Sequence, residues 1–185
     1  MKPRLFLVAP DAIAESLLLD CATAACAAAD CATILVAGNI TQKSVHALQA
    51  LNLAVILNDA EVRQVHHLKA DGLLMTDIDH VDDARKNLKN EVLGFLAGAS
   101  RHMAMEAAES GVDFVAFTPT KQVAGIPIVG WWQEVTDVPA VVIEPQVDAQ
   151  LRPQNPDFIR PSDDMWADAD SAARVVKQLM AQWTA

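Results

Sequence analysis

With 185 residues and a net charge of −10, the chain has length for one domain with a buried core and no basic surface to offer. That charge works against general nucleic-acid binding and against docking on anionic membrane, while leaving room for a small phosphorylated ligand held by a few local donors. Cys21, Cys26 and Cys31 form no CxxC pair and have no histidine near them in sequence, so they read as small apolar fillers rather than a zinc set.

Strand one is read over Leu5–Pro10, and the chain enters it with no secretory signal before it. Helix one follows from Ala12 to Ala28, with Ile13, Leu17, Leu18, Cys21 and Ala25 facing inward. Asp30 breaks the apolar stretch from Ala22 to Ala37 into a helix end and strand two, Cys31–Ala37, so no membrane span is expected there. Thr41 is placed to cap helix two, whose Val45, Leu48 and Leu51 face inward. Strand three is Leu53–Asn58, and Asp59 is the expected cap of helix three, with Val62, Val65 and Leu68 following. Strand four is Gly72–Asp77; a polar helix four leads to strand five, Val92–Ala97. Helix five starts near Ser100 and stops at Gly111 before strand six, Phe114–Pro119. A segment with Trp131 and Trp132 precedes strand seven, Ala140–Glu144, and a proline-rich stretch leads to a weak strand eight, Phe158–Pro161. The last helix carries a clear stripe of Ala172, Val175, Val176, Leu179, Met180 and Trp183.

Near-continuous Val/Ile/Leu/Phe runs are strands buried on both faces, as parallel sheets require. Strand-helix alternation repeated about eight times predicts a small single-domain (β/α)8 TIM barrel over residues 1–185, with minimal connections, since ~200 residues is near the usual lower limit. Such barrels keep their chemistry at the C-terminal strand ends. The residues to read are therefore Asn39, Asn58, Asp59, Asp77, Asp79, Thr118, Thr120, Lys121, Glu144 and Arg160.

Asn58-Asp59 and the pair Asp77 and Asp79 close adjacent strands, whose ends lie roughly 5 Å apart. Oxygen ligands placed this way suit Mg2+ held by one or two carboxylates plus substrate phosphates. The plainer reading, which composition alone favours, makes Asp59 a helix cap and the other two solvated loop acids. Thr118, Thr120 and Lys121 offer hydroxyls and a cation to phosphate oxygens, or else form an ordinary turn opened by Pro119. His66 and His67, adjacent on a helix, point in different directions and make poor metal geometry, and His80 and His102 read as rim residues. Trp131 and Trp132 cannot both face inward, so one is expected at a rim or an interface. No GxGxxG, Walker-type or GxSxG motif occurs.

Taken in order, several segments resemble the thiamine phosphate synthase family, including its thiazole tautomerase branch. They are Leu5-Phe-Leu-Val-Ala-Pro10, Ala54-Val-Ile-Leu-Asn-Asp59, Lys69-Ala-Asp-Gly-Leu73, Glu106 to Val115, and Trp131-Trp132 through Val138-Pro-Ala-Val-Val-Ile143. The resemblance implies an enzyme of thiamine biosynthesis, and the unpaired cysteines with no secretory signal or membrane span make a soluble cytoplasmic protein the default expectation. In that family a magnesium-bound pyrophosphate leaves a pyrimidine-methyl carbon, and a thiazole phosphate nitrogen attacks. By resemblance, Asp59 and Asp79 hold Mg2+, Asn58 and Thr120 bind diphosphate with Asp59, and Lys121 is the catalytic and substrate-binding cation.

The chain departs from the family pattern at definite places. The strand-two Gln-x-Arg-x-Lys is Leu35-Val-Ala-Gly-Asn39, and the Arg after Asn-Asp is Ala60. The Gly-Gly after strand seven is Glu144-Pro145, and strand eight reads Phe158-Ile-Arg-Pro161. The tautomerase histidine position holds Pro119. Loss of the strand-two cations removes charge that would balance a leaving diphosphate. Two functions are therefore carried forward. One is a metal-assisted transferase acting on a phosphorylated or heteroaromatic small molecule. The other is a divergent barrel that binds a small ligand or protein partner without synthase chemistry.

Overall fold

Alternation along each strand sorts the apolar side chains into two separate cores. The computed structural model describes residues 2–58, 60–118, 127–144 and 154–183. Its strands are β1 (Arg4–Val8), β2 (Cys31–Ala37), β3 (Ala54–Asn58), β4 (Gly72–Met75), β5 (Val92–Gly98), β6 (Phe114–Phe117), β7 (Ala140–Val142) and β8 (Phe158–Ile159). The helices described between and after them are α1 (Glu15–Ala28), α2 (Gln42–Gln49), α3 (Val62–Leu68), α4 (Val81–Asn87), α5 (Arg101–Glu109), α6 (Ile128–Val135) and α7 (Ala169–Gln182). Short 3-10 turns run over Ile78–His80 and Asp163–Trp166.

The strands form a closed parallel barrel in sequence order, as expected. Two residues of β8 are enough to close it. Phe158 and Ile159 pair with Val141 and Val142 of β7 on one side and with Arg4 and Leu5 of β1 on the other. Pro161 has no N–H to extend that ladder, which keeps β8 shorter than Phe158–Pro161.

Inside the barrel, Phe6, Leu35, Ile56, Leu74, Phe114, Ala116 and Val141 form the smaller core. The larger core lies between the sheet and the helices, where Leu5, Leu7, Ile34, Leu57 and Phe95 meet the buried faces of the helices. Gly94 makes the inner packing possible: a Cβ there would stand 2.1 Å from the Phe114 ring. Phe114 instead packs edge-on against Phe6, with ring centroids 5.6 Å apart.

The helices bury the expected faces. Leu18, Cys21 and Ala25 of α1, Val45 and Leu48 of α2, and Ala172, Val175, Val176, Leu179 and Met180 of α7 are all buried. Thr41 caps α2 by accepting from Ser44 N at 3.3 Å, and Ser100 caps α5 by accepting from Met103 N at 3.2 Å. Two boundaries differ. Helix α1 starts at Glu15, because Pro10 to Ala12 is spent on a turn closed by Ile13 N donating to Pro10 O. Helix α3 is capped by Glu61, not by Asp59: Glu61 and Gln64 form a capping box, with Glu61 N donating to Gln64 Oε1 at 2.8 Å. Asp59 itself lies outside the described residues.

The N-terminal floor of the barrel is tied by a repeated device. Each even-numbered strand is preceded by an aspartate: Asp30, Asp71, Asp113 and Asp157. The last three clamp the preceding odd strand through both main-chain groups of one residue. Asp71 accepts from Val55 N at 2.8 Å and donates its own N–H to Val55 O. Asp113 does the same with Leu93, and Asp157 with Ala140. Each carboxylate also takes a donor from the helix that leads into the odd-numbered strand, namely Gln49 of α2, Arg85 of α4 and Gln133 of α6. Asp30 instead takes the Arg4 guanidinium of β1 through two bonds of 2.9 Å.

Asp113→Ala strips the Leu93 N–H and Arg85 of their acceptor and is expected to cost about 2 kcal/mol, lowering Tm by about 4–8 °C. Asp113→Asn, which keeps an acceptor oxygen, should lose clearly less; equal melts for both variants and the wild type would refute the clamp. Gly94→Ala should cost about 1–3 kcal/mol by overpacking against Phe114, read from the same thermal or urea melts.

Candidate active site at the barrel mouth

At the C-terminal end of the barrel the inward positions change from apolar to small or polar. Following the alternation set by Leu35, Ile56, Phe114 and Phe158, the next inward residues are Ala37, Asn58, Thr118 (two beyond Ala116) and Arg160. Asn58 is half-buried and lies in register with Ala37 on one side and Leu74 on the other. A cavity of about 420 Å³ opens above β2 and β3, lined by Asp11, Ala37, Gly38, Asn39, Asn58 and Gln64. A second, of about 260 Å³, lies beside it, between the turn after β1 and the start of α2, with Asp11, Glu15 and Asn39 on its walls. Among the described residues these walls are amide, carboxylate and apolar groups, and carry no cation.

Glu15 shapes this side of the mouth. From the first turn of α1 it reaches the N-terminus of α2, accepting from Ser44 Oγ at 2.6 Å and Thr41 N at 3.1 Å. The Ser44 hydroxyl, with help from Thr41, holds the Glu15 carboxyl below its ordinary range. A carboxylate at that helix end also meets the positive pole of its dipole.

On the β4 side, Asp77 is already engaged. It caps the turn of Ile78–His80 by accepting from Asp79 N at 3.1 Å, and its other oxygen meets His80 Nδ1 at 2.8 Å. The His80 contact first, then the Asp79 N–H, draws the Asp77 carboxyl below its usual range. Asp79 is exposed on that turn, one strand over from Asn58. Of the five residues that carry the resemblance, Asn58 and Asp79 are described; Asp59, Thr120 and Lys121 lie outside the described residues. Glu144 follows β7 and is half-buried.

The histidines are spread over the surface, His66 facing Glu91 at 3.5 Å and His102 facing Glu106 at 3.6 Å. Among the described residues no group of three His, Cys, Asp or Glu side chains could hold a metal ion by itself. The tryptophan pair divides as expected. Trp132 is fully buried, donates to Val138 O at 2.7 Å and packs edge-on against Phe117. Trp131 is partly exposed and carries the Arg101 guanidinium 4.6 Å above its ring. Arg101 escaped sequence reasoning; the available signal was a cation in the first turn of a helix, where the dipole disfavours it. Gln64, on the cavity wall, was hidden for a different reason. Its role in the α3 capping box and its bond to Gly38 O at 3.4 Å both depend on where β2 ends.

No family model matches the sequence. A thiamine-phosphate synthase from Erythrobacter litoralis is 34% identical over 139 residues, covering 67% of this chain and 65% of the relative. One from Hyphomonas neptunium is 32% identical over 142 residues, covering 70% of this chain and 64% of the relative. The chain is a divergent member of the thiamine phosphate synthase family. The aligned stretches span slightly less than two thirds of those relatives' own lengths. Among solved structures, the thiamine phosphate pyrophosphorylase of Pyrococcus furiosus superposes with a TM-score of 0.74 at 16% identity, covering 100% of this chain and 98% of that one. The 2-keto-3-deoxy-6-phospho-gluconate aldolase of Zymomonas mobilis gives 0.70 at 14% identity, covering 97% and 93%; at these identities the likeness is one of fold. No helix among the described residues is long and apolar enough to cross a membrane.

Ala37 and Asn39, at the end of β2, line the cavity above β2 and β3, and Leu35 belongs to the inner core below it.

Glu15→Gln should lower Tm at pH 7, because it replaces an ionised acceptor at the α2 N-terminus. The native carboxyl titrates below its ordinary value of 4.5, so its contribution is present above that pH and is lost as pH falls through the lower folded value. The gap in Tm between wild type and Glu15→Gln should accordingly shrink below about pH 4; a gap that is constant with pH would refute the assignment.

Proposed function

We propose that the mouth binds a magnesium-diphosphate ligand and supports transfer chemistry of the thiamine phosphate synthase type. The observation that carries this reading is Asn58. It ends β3 pointing into the mouth, in a chain whose curated relatives are thiamine-phosphate synthases. The substrates would be a pyrimidine-methyl diphosphate and a thiazole phosphate. The carbon–oxygen bond to diphosphate breaks, the thiazole nitrogen forms the new carbon–nitrogen bond, and pyrophosphate departs.

Asn58 and Thr120 would contact the diphosphate, Asp59 and Asp79 would hold Mg2+, and Lys121 would supply positive charge to the leaving group. The donor set fits the ion: carboxylate and amide oxygens at neighbouring strand ends are hard ligands, few in number, and leave coordination positions for phosphate oxygens. Bound there, Mg2+ would neutralise charge on the departing diphosphate. Asn58, on the rigid end of β3, would orient the diphosphate over the mouth, and the apolar floor of Leu35, Ile56 and Leu74 keeps water from below.

Ala37 and Asn39 favour a second reading. With no cation among the described residues of its lining, the cavity suits a neutral, hydrogen-bonding ligand as well as an anionic one, and the chain would then bind without synthase chemistry.

Titration calorimetry with Mg2+ and pyrophosphate separates the two. On the first reading, wild type binds in the presence of the metal, and the Asp59→Ala, Asp79→Ala double variant binds at least about tenfold more weakly. No heat from wild type at millimolar ligand would overturn the synthase mechanism and leave the second reading.

A further inference from the structure

Arg160 is a cation delivered into the mouth by the barrel itself. Phe158 belongs to the inner core and Ile159 to the outer one, so alternation turns Arg160 inward at the C-terminal end of β8. Its backbone N–H donates to Val142 O at 3.1 Å, which fixes the residue against β7. The side chain is only 19% exposed. Nη1 donates to Ile143 O at 3.2 Å, and Nη2 meets Asp163 across one turn, a carboxylate that is 60% exposed. The remaining donor, Nε–H, is buried and has no acceptor among the described residues.

Buried guanidinium donors are rarely left unpaired, because the cost of stripping them of water is not returned. Nε and Nη2 form one edge of the guanidinium fork, the edge that takes carboxylate or phosphate through two parallel bonds. Among the described residues that edge holds one exposed carboxylate at Nη2 and nothing at Nε. It sits at the strand seven–eight side of the mouth. There Pro161, the next residue along the chain, has no backbone N–H to offer an anion.

We propose that Arg160 is an anion-binding residue of the mouth, its Nε–Nη2 edge taking two oxygens of a phosphate group on a small ligand. Positive charge that β2 does not provide is thus supplied from β8, by a side chain instead of by backbone donors. The proposal rests on the reading of the mouth as a site for a phosphorylated ligand. It does not need the metal, and the two are tested apart.

The probe is inorganic phosphate in EDTA, titrated calorimetrically into wild type, Arg160→Gln, Arg160→Lys and Asp163→Asn, with thermal melts of each. The expected result is millimolar binding by wild type and at least about tenfold weaker binding by Arg160→Gln. Arg160→Lys should be intermediate, since it keeps the charge and loses the fork. Asp163→Asn should bind a few-fold tighter, because a competing carboxylate is gone. A purely structural Arg160 would lower Tm and leave the affinity for phosphate unmoved, which overturns the proposal; so does a wild type that binds no phosphate. If Arg160→Gln does not fold, the opposite shifts of Arg160→Lys and Asp163→Asn decide. Phosphate binding lost with Arg160, in a protein that ignores magnesium pyrophosphate, would sustain the Arg160 site and defeat the synthase reading. The reverse pattern would defeat the Arg160 site alone.

Discussion

The fold rests on how a short chain closes a barrel of eight parallel strands, and the floor clamps are the interaction that does it. Parallel neighbours are joined only through helices, so nothing local fixes the register between them. In this chain an aspartate just before β4, β6 and β8 grips both main-chain groups of a residue in the first two positions of β3, β5 and β7, respectively. Each grip sets one strand against the next and pins the helix that leads into the gripped strand, through Gln49, Arg85 or Gln133. The Asp30–Arg4 pair serves the first two strands in another way, binding side chain to side chain.

Fixing the register at the floor frees the mouth. The inner core of Phe6, Leu35, Ile56, Leu74 and Phe114 ends one layer below the C-terminal rim. Above it the inward positions are Ala37, Asn58, Thr118 and Arg160, and none is needed to fill the barrel. A wide cavity therefore stands above β2 and β3, and polar side chains there can change without cost to the core. Among the described residues the electrostatics of the mouth is divided, with amides and carboxylates on the β1–β4 side and a largely buried guanidinium on the β8 side.

Much of the architecture was legible along the chain. Runs such as Cys31–Ala37 announce strands buried on both faces, and the stripe on α7 announces its inner face. The caps at Thr41 and Ser100 were readable because each precedes its helix directly. The cap of α3 was not. Asp59 and Glu61 both suit a helix start, and the reciprocal bonds of Glu61 with Gln64 decided between them. At the site, Asn58 was legible from its place at a strand end, and Trp131 and Trp132 from helical geometry. Glu15 and Arg101 were not, because their partners, Ser44 and Trp131, come from other elements.

By itself the sequence determined the order of strands and helices, the faces they bury and the family resemblance, because periodicity and ordered motifs are local properties. It also determined which residue types are present at strand ends. Tertiary structure alone decided which of them share a wall. That Asp77 is spent on His80, that Glu15 caps α2, and that Arg160 turns inward with one donor unpaired follow from alternation, register and closure. These are relations between segments far apart in the chain, and a barrel makes them only when its last two-residue strand pairs on both sides.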